Sequence, residues 1–257
     1  MASGVPTTVA TALADHRVEG RRCLDAGTGV GNSAAGLARA AADRVITVTT
    51  NPDHAHHASR RFAADDRVDV IRADLRSLPL GDDSVEFIMA HAVCNVLEPS
   101  ALALVATEWY RIAAPDCVLV IDDYDPIPEE ACVSSLFELE NAAAILATGR
   151  PALTFYPAPF LVHSFVGAGW ELCRMQTLLD PVPWTAAHLD AHTEATAAAL
   201  QTLSPALRRP LTERLDILTK NLDPAATGRM YSLAFRLPAV ERGQSRRLSS
   251  MNDQSNS

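Results

Sequence analysis

Short apolar runs alternate with segments of helical spacing through the first half of the chain. The runs are rich in β-branched residues, which suits strands that are buried on both faces of a sheet. We predict a strand that ends near Asp25, further strands at 44–49, 68–71, 84–89 and 117–121, and helices at 33–42, 51–62 and 99–113. Because strands that alternate with helices need crossover connections, this pattern predicts an α/β fold with a doubly wound, mostly parallel sheet.

The second half of the chain adds two predicted strands, at 170–179 and 229–236, which bring the sheet to seven strands. Helical spacing at 129–148, 160–167 and 185–222 predicts helical insertions after the fifth and sixth strands, at about 126–156 and 184–226, the last stretch broken by Pro205 and Pro210. A short helix at 5–16 precedes the first strand. We expect one domain over 1–240 and, from its polar composition, a disordered tail over 241–257.

The segment after the first strand carries glycine at every second position, at Gly27, Gly29 and Gly31, directly before a helix. Glycine lets the main chain turn sharply and approach a ligand closely, and the following helix offers unpaired N–H groups at its start. The pattern therefore indicates a ligand-binding loop. A dinucleotide fingerprint would place its third glycine at position 32, where this chain has Asn32, so a nicotinamide cofactor fits poorly.

The arrangement Asp25-x-Gly27-x-Gly29-x-Gly31 instead resembles motif I of the class I S-adenosylmethionine-dependent methyltransferases. The resemblance implies a Rossmann-like fold with S-adenosylmethionine as cofactor. It also implies that the loop, including Thr28, holds the methionine part, with the Asp25 carboxylate near this zwitterionic, sulfonium-bearing ligand.

Two further segments extend the resemblance to about residues 20–124. Asp74-Leu75, followed by Leu78-Pro79-Leu80, resembles the family's acid-x-x-x-Leu-Pro-Phe segment, and Glu108-x-x-Arg111-Ile112-x-x-Pro115 resembles the helix end before its fifth strand. The resemblance implies that the Asp74 carboxylate receives the adenine amino group and that the Leu75 N–H faces a ring nitrogen. It adds Ala90 and His91, after the fourth strand, to the cofactor-binding set, and an antiparallel final strand to the sheet.

The chain departs from the family at the ribose. An acid normally ends the second strand and accepts both ribose hydroxyls, but the aligned residue here is Thr49, followed by Thr50. The two threonines are predicted either to rebuild the ribose contact or simply to finish a β-branched strand.

The candidate general bases are His91, after the fourth strand, and Asp123 and Tyr124, after the fifth. Open α/β sheets bind ligands outside the carboxyl ends of their strands, where these residues lie. The alternative, which is favoured because a single polar residue at a strand end is common, is that each only supports a ligand-contacting residue or lies at the rim of the site. Asp122-Asp123 resembles the acidic pair of magnesium-dependent catechol-type methyltransferases, but the fourth strand supplies no third carboxylate, so no metal is predicted.

Net charge and composition limit the classes of molecule that the chain is expected to bind. The 257-residue chain has a formal net charge of −9 and a pI near 5.3, which disfavours a nucleic-acid-binding surface and favours a small-molecule substrate. Its five cysteines lack zinc or disulfide spacing and are predicted to be small core residues. No run has transmembrane length and no leader pattern is present, so we expect a cytoplasmic protein without a membrane partner, and a homodimer as the candidate assembly.

The leading hypothesis is a methyltransferase that acts on a small-molecule acceptor, with O-methylation as the first choice. The insertions are expected to cover the substrate, with Phe137, Phe155, Tyr156 and Trp184 as wall residues. The first alternative is a protein of this fold that binds S-adenosylmethionine without transferring methyl, or that catalyses other chemistry. The second is a nucleotide-dependent oxidoreductase, which Asn32 disfavours.

Overall fold

The computed structural model describes residues 4–239, which form a seven-stranded sheet with flanking helices and a small two-stranded ribbon. The strands are β1 (Arg22–Ala26), β2 (Arg44–Thr49), β3 (Val68–Arg72), β4 (Val85–His91), β5 (Ala113–Tyr124), β6 (Glu171–Leu179), β7 (Pro183–Trp184), β8 (Ala225–Ala226) and β9 (Met230–Arg236). The sheet order is β3-β2-β1-β4-β5-β9-β6, and β9 runs antiparallel to both of its neighbours. The predicted doubly wound, mostly parallel fold is confirmed. The predicted tail over 241–257 lies outside the described residues.

Eight α-helices are described between residues 4 and 239. They are α1 (Thr7–Leu13), α2 (Asn32–Arg39), α3 (Pro52–Arg61), α4 (Pro99–Ile112), α5 (Ser134–Thr148), α6 (Ala158–Gly167), α7 (Ala186–Gln201) and α8 (Pro205–Lys220). None of the helices in this described part is long and apolar enough to cross a membrane. Together the helices cover both faces of the sheet and build the two insertions.

Two helix boundaries differ from the sequence prediction. The helix expected from residue 129 begins at Ser134, whose hydroxyl donates to the Pro128 carbonyl and closes a turn ahead of the helix. Pro205 starts α8 as a first-turn proline, as its fixed φ favours, but Pro210 lies inside α8 without ending it. Since Pro210 and Ala206 are both exposed, water can satisfy the carbonyl that loses its helical partner.

Buried side chains fill both faces of the sheet. On one face, Trp109 of α4 and Phe165 of α6 stack 5.8 Å apart, centroid to centroid, and Phe165 packs on Phe235 of β9. On the other face, α1 and α2 pack against β4, with Leu37 and Phe87 fully buried. Each such side chain stabilises the fold by about 1.5–3 kcal/mol relative to exposure. Both layers together fix the sheet that presents the loops at its carboxyl edge.

The insertions have a hydrophobic cluster of their own, which we call the insertion core. It joins α5, α7 and α8 around Phe137, Trp184 and Leu215, and it reaches the sheet at Met230. Gly149, at a φ of 81°, ends α5, as expected for a C-terminal cap. The insertions therefore form a helical layer at the end of β5 and the start of β9.

The cysteines divide into two groups. Cys23, Cys94 and Cys117 are buried in the sheet's core, as predicted, whereas Cys132 and Cys173 are exposed. All five are free thiols. The prediction that the cysteines are core residues therefore holds for the first three and is wrong for the two exposed ones.

Candidate cofactor site and active site

A cavity of about 620 Å³ opens at the carboxyl ends of β1, β2, β3 and β4. The sheet order changes direction between β1 and β4, and in open α/β sheets ligands bind at this switch point. The volume is typical of small-molecule sites. Seven of the predicted site residues line the cavity: Gly27, Gly29, Thr49, Thr50, Asp74, Leu75 and His91. The described lining does not include Asp25, Thr28, Gly31, Ala90, Asp123 or Tyr124.

The glycine loop, residues 25–31, is shaped by left-handed backbone conformations. Gly27 has a φ of 90°, and a Cβ built there would lie 2.6 Å from Val93 Cγ2. Gly29 has a φ of 47°, but a Cβ there would meet no described atom within 4 Å. Gly27 therefore permits close packing inside the protein. Gly29 borders open space, which is what a closely approaching ligand requires and which fits S-adenosylmethionine.

Asp25 supports the loop from beneath. Its carboxyl is fully buried and accepts a hydrogen bond of 2.6 Å from the Thr47 hydroxyl, which lies 2.8 Å from the hydroxyl of Thr28. The other carboxyl oxygen, Oδ1, has no described partner. Burial raises the pKa of Asp25 from 3.8 to about 7, against the opposing effect of the Thr47 hydrogen bond. A direct contact between Asp25 and the cofactor stays a prediction.

Two predicted positions on the far side of the cavity have partners within the protein. Thr49 is buried at the end of β2, and its hydroxyl oxygen accepts from the Asn51 N–H at 3.1 Å, so its own proton is free for another acceptor. Asp74 forms an ion pair of 2.5 Å with Arg76, whose hydrogen bonds hold the pKa of the Asp74 carboxyl below its usual range. Asn51 and His54 also line the cavity, although the sequence did not single them out as ligand contacts.

His91 is the only one of the three predicted bases that lines the described cavity. Its Nδ1 lies 2.9 Å from Oδ2 of Asp122, which is fully buried. The two residues are direct register partners on adjacent strands β4 and β5. An ionised carboxylate can only accept a hydrogen bond, so with Asp122 in that form the donor is Nδ1–H and the Nε2 of a neutral imidazole is a proton acceptor. Sequence reasoning missed this partner, since it depends on strand register.

Asp123 and Tyr124 are directed into the protein. Asp123 accepts from the N–H groups of Asn95 and Tyr124, and burial raises its pKa to about 7. Tyr124 packs on Trp184, with ring centroids 5.4 Å apart, and burial raises its pKa to about 12. Their positions suit them to hold the loops after β4 and β5. A catalytic role for either residue stays a prediction.

The expected aromatic wall of the cavity is not found among the described residues. Phe137 and Trp184 lie 5.0 Å apart within the insertion core, Phe155 packs on Phe137, and Tyr156 stacks on Phe160. Instead, the first insertion lines the cavity with Arg150 and Pro151, directly after α5. Over residues 4–239, no group of three or more acidic, cysteine or histidine side chains is arranged to hold a metal ion.

Comparisons with known proteins support a methyltransferase-like fold. A family model described as a methyltransferase domain matches residues 23–116. The chain is 34% identical over 123 residues to a demethylmenaquinone methyltransferase from Clavibacter sepedonicus, a match that covers 47% of this chain and 49% of that protein. The matched region thus spans about half the length of this curated relative.

Solved structures share the fold. A S-adenosylmethionine-dependent methyltransferase from Mesorhizobium loti superposes with a TM-score of 0.55 at 16% identity, covering 89% of this chain and 95% of that one. The [4+2]-cyclase SpnF superposes with a TM-score of 0.56 at 18% identity, covering 90% of this chain and 81% of that one. At identities of 16–18%, the structural likeness establishes the fold only. The reaction has to be inferred from the residues of the site.

Proposed function

We propose that this chain is a class I S-adenosylmethionine-dependent methyltransferase, in agreement with the methyltransferase-domain model that matches residues 23–116, and that it transfers the methyl group of that cofactor to a small-molecule acceptor. One observation carries the proposal: Gly29, which borders open space, and His91, which has a free ring nitrogen, line the same cavity. The cavity thus combines room for close backbone approach to a ligand with a proton acceptor.

Residues that follow three different strands would each bind one part of the cofactor. The glycine loop would hold the methionine part, Thr49 and Thr50 the ribose, and Asp74 with the Leu75 N–H the adenine. When bound, S-adenosylmethionine supplies a methyl group on a positively charged sulfur. The protein's contribution is to align an acceptor with that group and to exclude water, because proximity and orientation account for much of the acceleration of such displacements.

O-methylation is the preferred reaction because His91 can act as a base. A hydroxyl must lose its proton as its oxygen attacks, whereas a carboxylate needs no base. Both arginines among the described lining residues face acids: Arg76 pairs with Asp74, and Arg150 lies 3.6 Å from Glu98. Among the described lining residues, therefore, each arginine already has an acidic partner and none is left over to hold an ionised acceptor, which supports a neutral hydroxyl compound. The two insertions are proposed as the cover of this acceptor.

A second candidate reaction is methylation of an aromatic ring carbon. It is favoured by the similarity to the demethylmenaquinone methyltransferase, whose named substrate is a quinone. A reduced quinone carries ring hydroxyls, so the same base could activate it by removing a hydroxyl proton. Incubation with methyl-labelled cofactor and a reduced short-chain naphthoquinone separates the two reactions, since an O-methyl product loses its label on ether cleavage and a C-methyl product keeps it.

Binding without methyl transfer is the remaining alternative. The structural likeness to a [4+2]-cyclase is a reason to keep it, because one fold can host unrelated reactions. Cofactor binding with no methylated product from hydroxyl, amine and quinol acceptors would favour it.

Calorimetry of the full-length protein with S-adenosylmethionine and its demethylated product tests the proposed site. Gly29→Val should weaken both by tenfold or more, about 1.4 kcal/mol, because the added side chain enters the open space of the cavity. Gly20→Val is the matched control, since Gly20 also has a positive φ, of 72°, and open surroundings but lies outside the described cavity lining. Equal affinity for wild type and Gly29→Val would refute the assignment.

A further inference from the structure

Asp122 was not among the residues expected to take part in the reaction, yet its surroundings single it out. It is fully buried, its Oδ2 lies 2.9 Å from Nδ1 of His91, and its Oδ1 has no described partner. A buried carboxylate with a single hydrogen bond destabilises the fold, whereas an apolar residue at this strand position would pack without that penalty. The stability of the fold therefore does not explain why an acid occupies this position.

The strands do not need the Asp122 side chain to hold them together. His91 and Asp122 are already aligned by the β4–β5 ladder, and the Ala92 N–H donates to the Asp122 carbonyl at 2.8 Å. Ala92, which lines the cavity, has a φ of 54°, a strained value for a residue other than glycine. Such strain concentrates at functional sites. The backbone thus turns directly after His91. The contact between the His91 and Asp122 side chains is not needed to form this turn or to align the two strands.

We propose that Asp122 is the positioning residue of a base dyad: it fixes His91 with the proton on Nδ1, so that Nε2 faces the cavity and takes the proton of the acceptor's hydroxyl. This inference rests on the proposed function. In the reaction the acceptor's oxygen forms the bond to the methyl carbon, the carbon–sulfur bond breaks with its electron pair left on sulfur, and the hydroxyl proton moves to Nε2. The resulting imidazolium lies against Asp122, with the carboxyls of Asp25 and Asp123 in the same neighbourhood.

The arrangement selects among acceptors. A neutral imidazole nitrogen can accept a proton from a hydroxyl but offers no advantage to a nucleophile that is already ionised. Asp122 also prevents the ring from rotating, because rotation would leave the buried carboxylate with no hydrogen bond at all. The dyad therefore makes the site suited to a hydroxyl-bearing acceptor.

Nuclear magnetic resonance of the full-length, ¹⁵N-labelled protein tests the dyad without an acceptor. Long-range ¹H–¹⁵N correlations report which ring nitrogen of each histidine carries the proton, and the His91 signal is assigned by its loss in His91→Gln. We expect neutral His91 to carry its proton on Nδ1, opposite to the preference of a histidine side chain in water. A proton found on Nε2 in the wild-type protein would overturn the proposal, and this spectrum needs no folded variant at position 122.

Asp122→Asn separates positioning from a structural role. The amide can donate to Nδ1, so the proton of His91 should shift toward Nε2, while affinity for S-adenosylhomocysteine stays within about twofold because Asp122 is outside the described cavity lining. An unchanged tautomer with weakened binding would show that Asp122 only maintains the fold. Absence of S-adenosylhomocysteine binding in the wild type would instead count against the proposed function, so the two failures can be distinguished.

Discussion

Replacement of Asp25 by asparagine tests whether the carboxyl beneath the glycine loop is as destabilising as its burial indicates. Asp25 is fully buried, and its pKa rises from 3.8 to about 7 because burial disfavours the charged form. When a folded-state pKa lies above the unfolded value, stability is greatest below the unfolded pKa and is lost as pH rises toward the folded one. The loss for Asp25 therefore develops between about pH 4 and about pH 7.

The size of the effect follows from the two pKa values. Since a tenfold change in an equilibrium constant is about 1.4 kcal/mol, raising the pH from about 5 to about 8 should destabilise the wild type by about 3 kcal/mol through Asp25 alone. Asp25→Asn keeps the side-chain shape and an oxygen for the Thr47 hydroxyl but cannot ionise. The variant should therefore gain about 3 kcal/mol of stability over the wild type across this pH interval.

Urea unfolding followed by circular dichroism at the two pH values measures this double difference. Asp123, whose pKa is also raised to about 7, is present in both proteins, so its titration cancels to first order. Asp43→Asn, in an exposed turn before β2, controls for the change in net charge. If wild type and Asp25→Asn differ by the same free energy of unfolding at both pH values, Asp25 does not titrate with a raised pKa and the reasoning is refuted.

Thr49→Asp should preserve or tighten S-adenosylmethionine binding, because a carboxylate can accept hydrogen bonds from both ribose hydroxyls. Thr49→Val should weaken binding by about 0.5–1.5 kcal/mol, because it removes one hydrogen bond. Equal calorimetric affinities of the wild type and both variants would show that Thr49 only completes the strand. His192→Ala should lower the free energy of unfolding by about 1–3 kcal/mol, since it removes the 2.8 Å partner of the buried Glu140, and an unchanged urea midpoint would contradict this. Gly27→Ala should lower the melting temperature more than Gly20→Ala, because only at Gly27 would the new Cβ lie 2.6 Å from another side chain; equal losses would show that conformational strain alone decides.

The strands and most helices could be predicted because each depends on local hydrophobic periodicity. The exceptions depend on contacts that are distant in sequence or on exposure. Pro210 was expected to break a helix, but its exposed position lets water replace the lost hydrogen bond.

The candidate site was predictable where motifs fix the position of a residue relative to the backbone. Gly29, Asp74 and His91 line the cavity because they follow strands whose ends meet at one edge of the sheet. The contact between His91 and Asp122 could not be read from the sequence, since it depends on the register between two strands. The packing of the aromatic residues of the insertions could not be predicted either, because apolar spacing alone does not show whether a helix faces a ligand or another helix.

A crystal structure of the protein with bound S-adenosylhomocysteine would test the central claim most directly. The proposed site predicts that the ligand occupies the cavity, with its amino-acid part at Gly29, its adenine at Asp74 and Leu75, and its sulfur on the side of His91 from which Nε2 is accessible. A ligand bound elsewhere, or one whose sulfur is separated from His91 by the body of the protein, would contradict the proposed methyl transfer at this site.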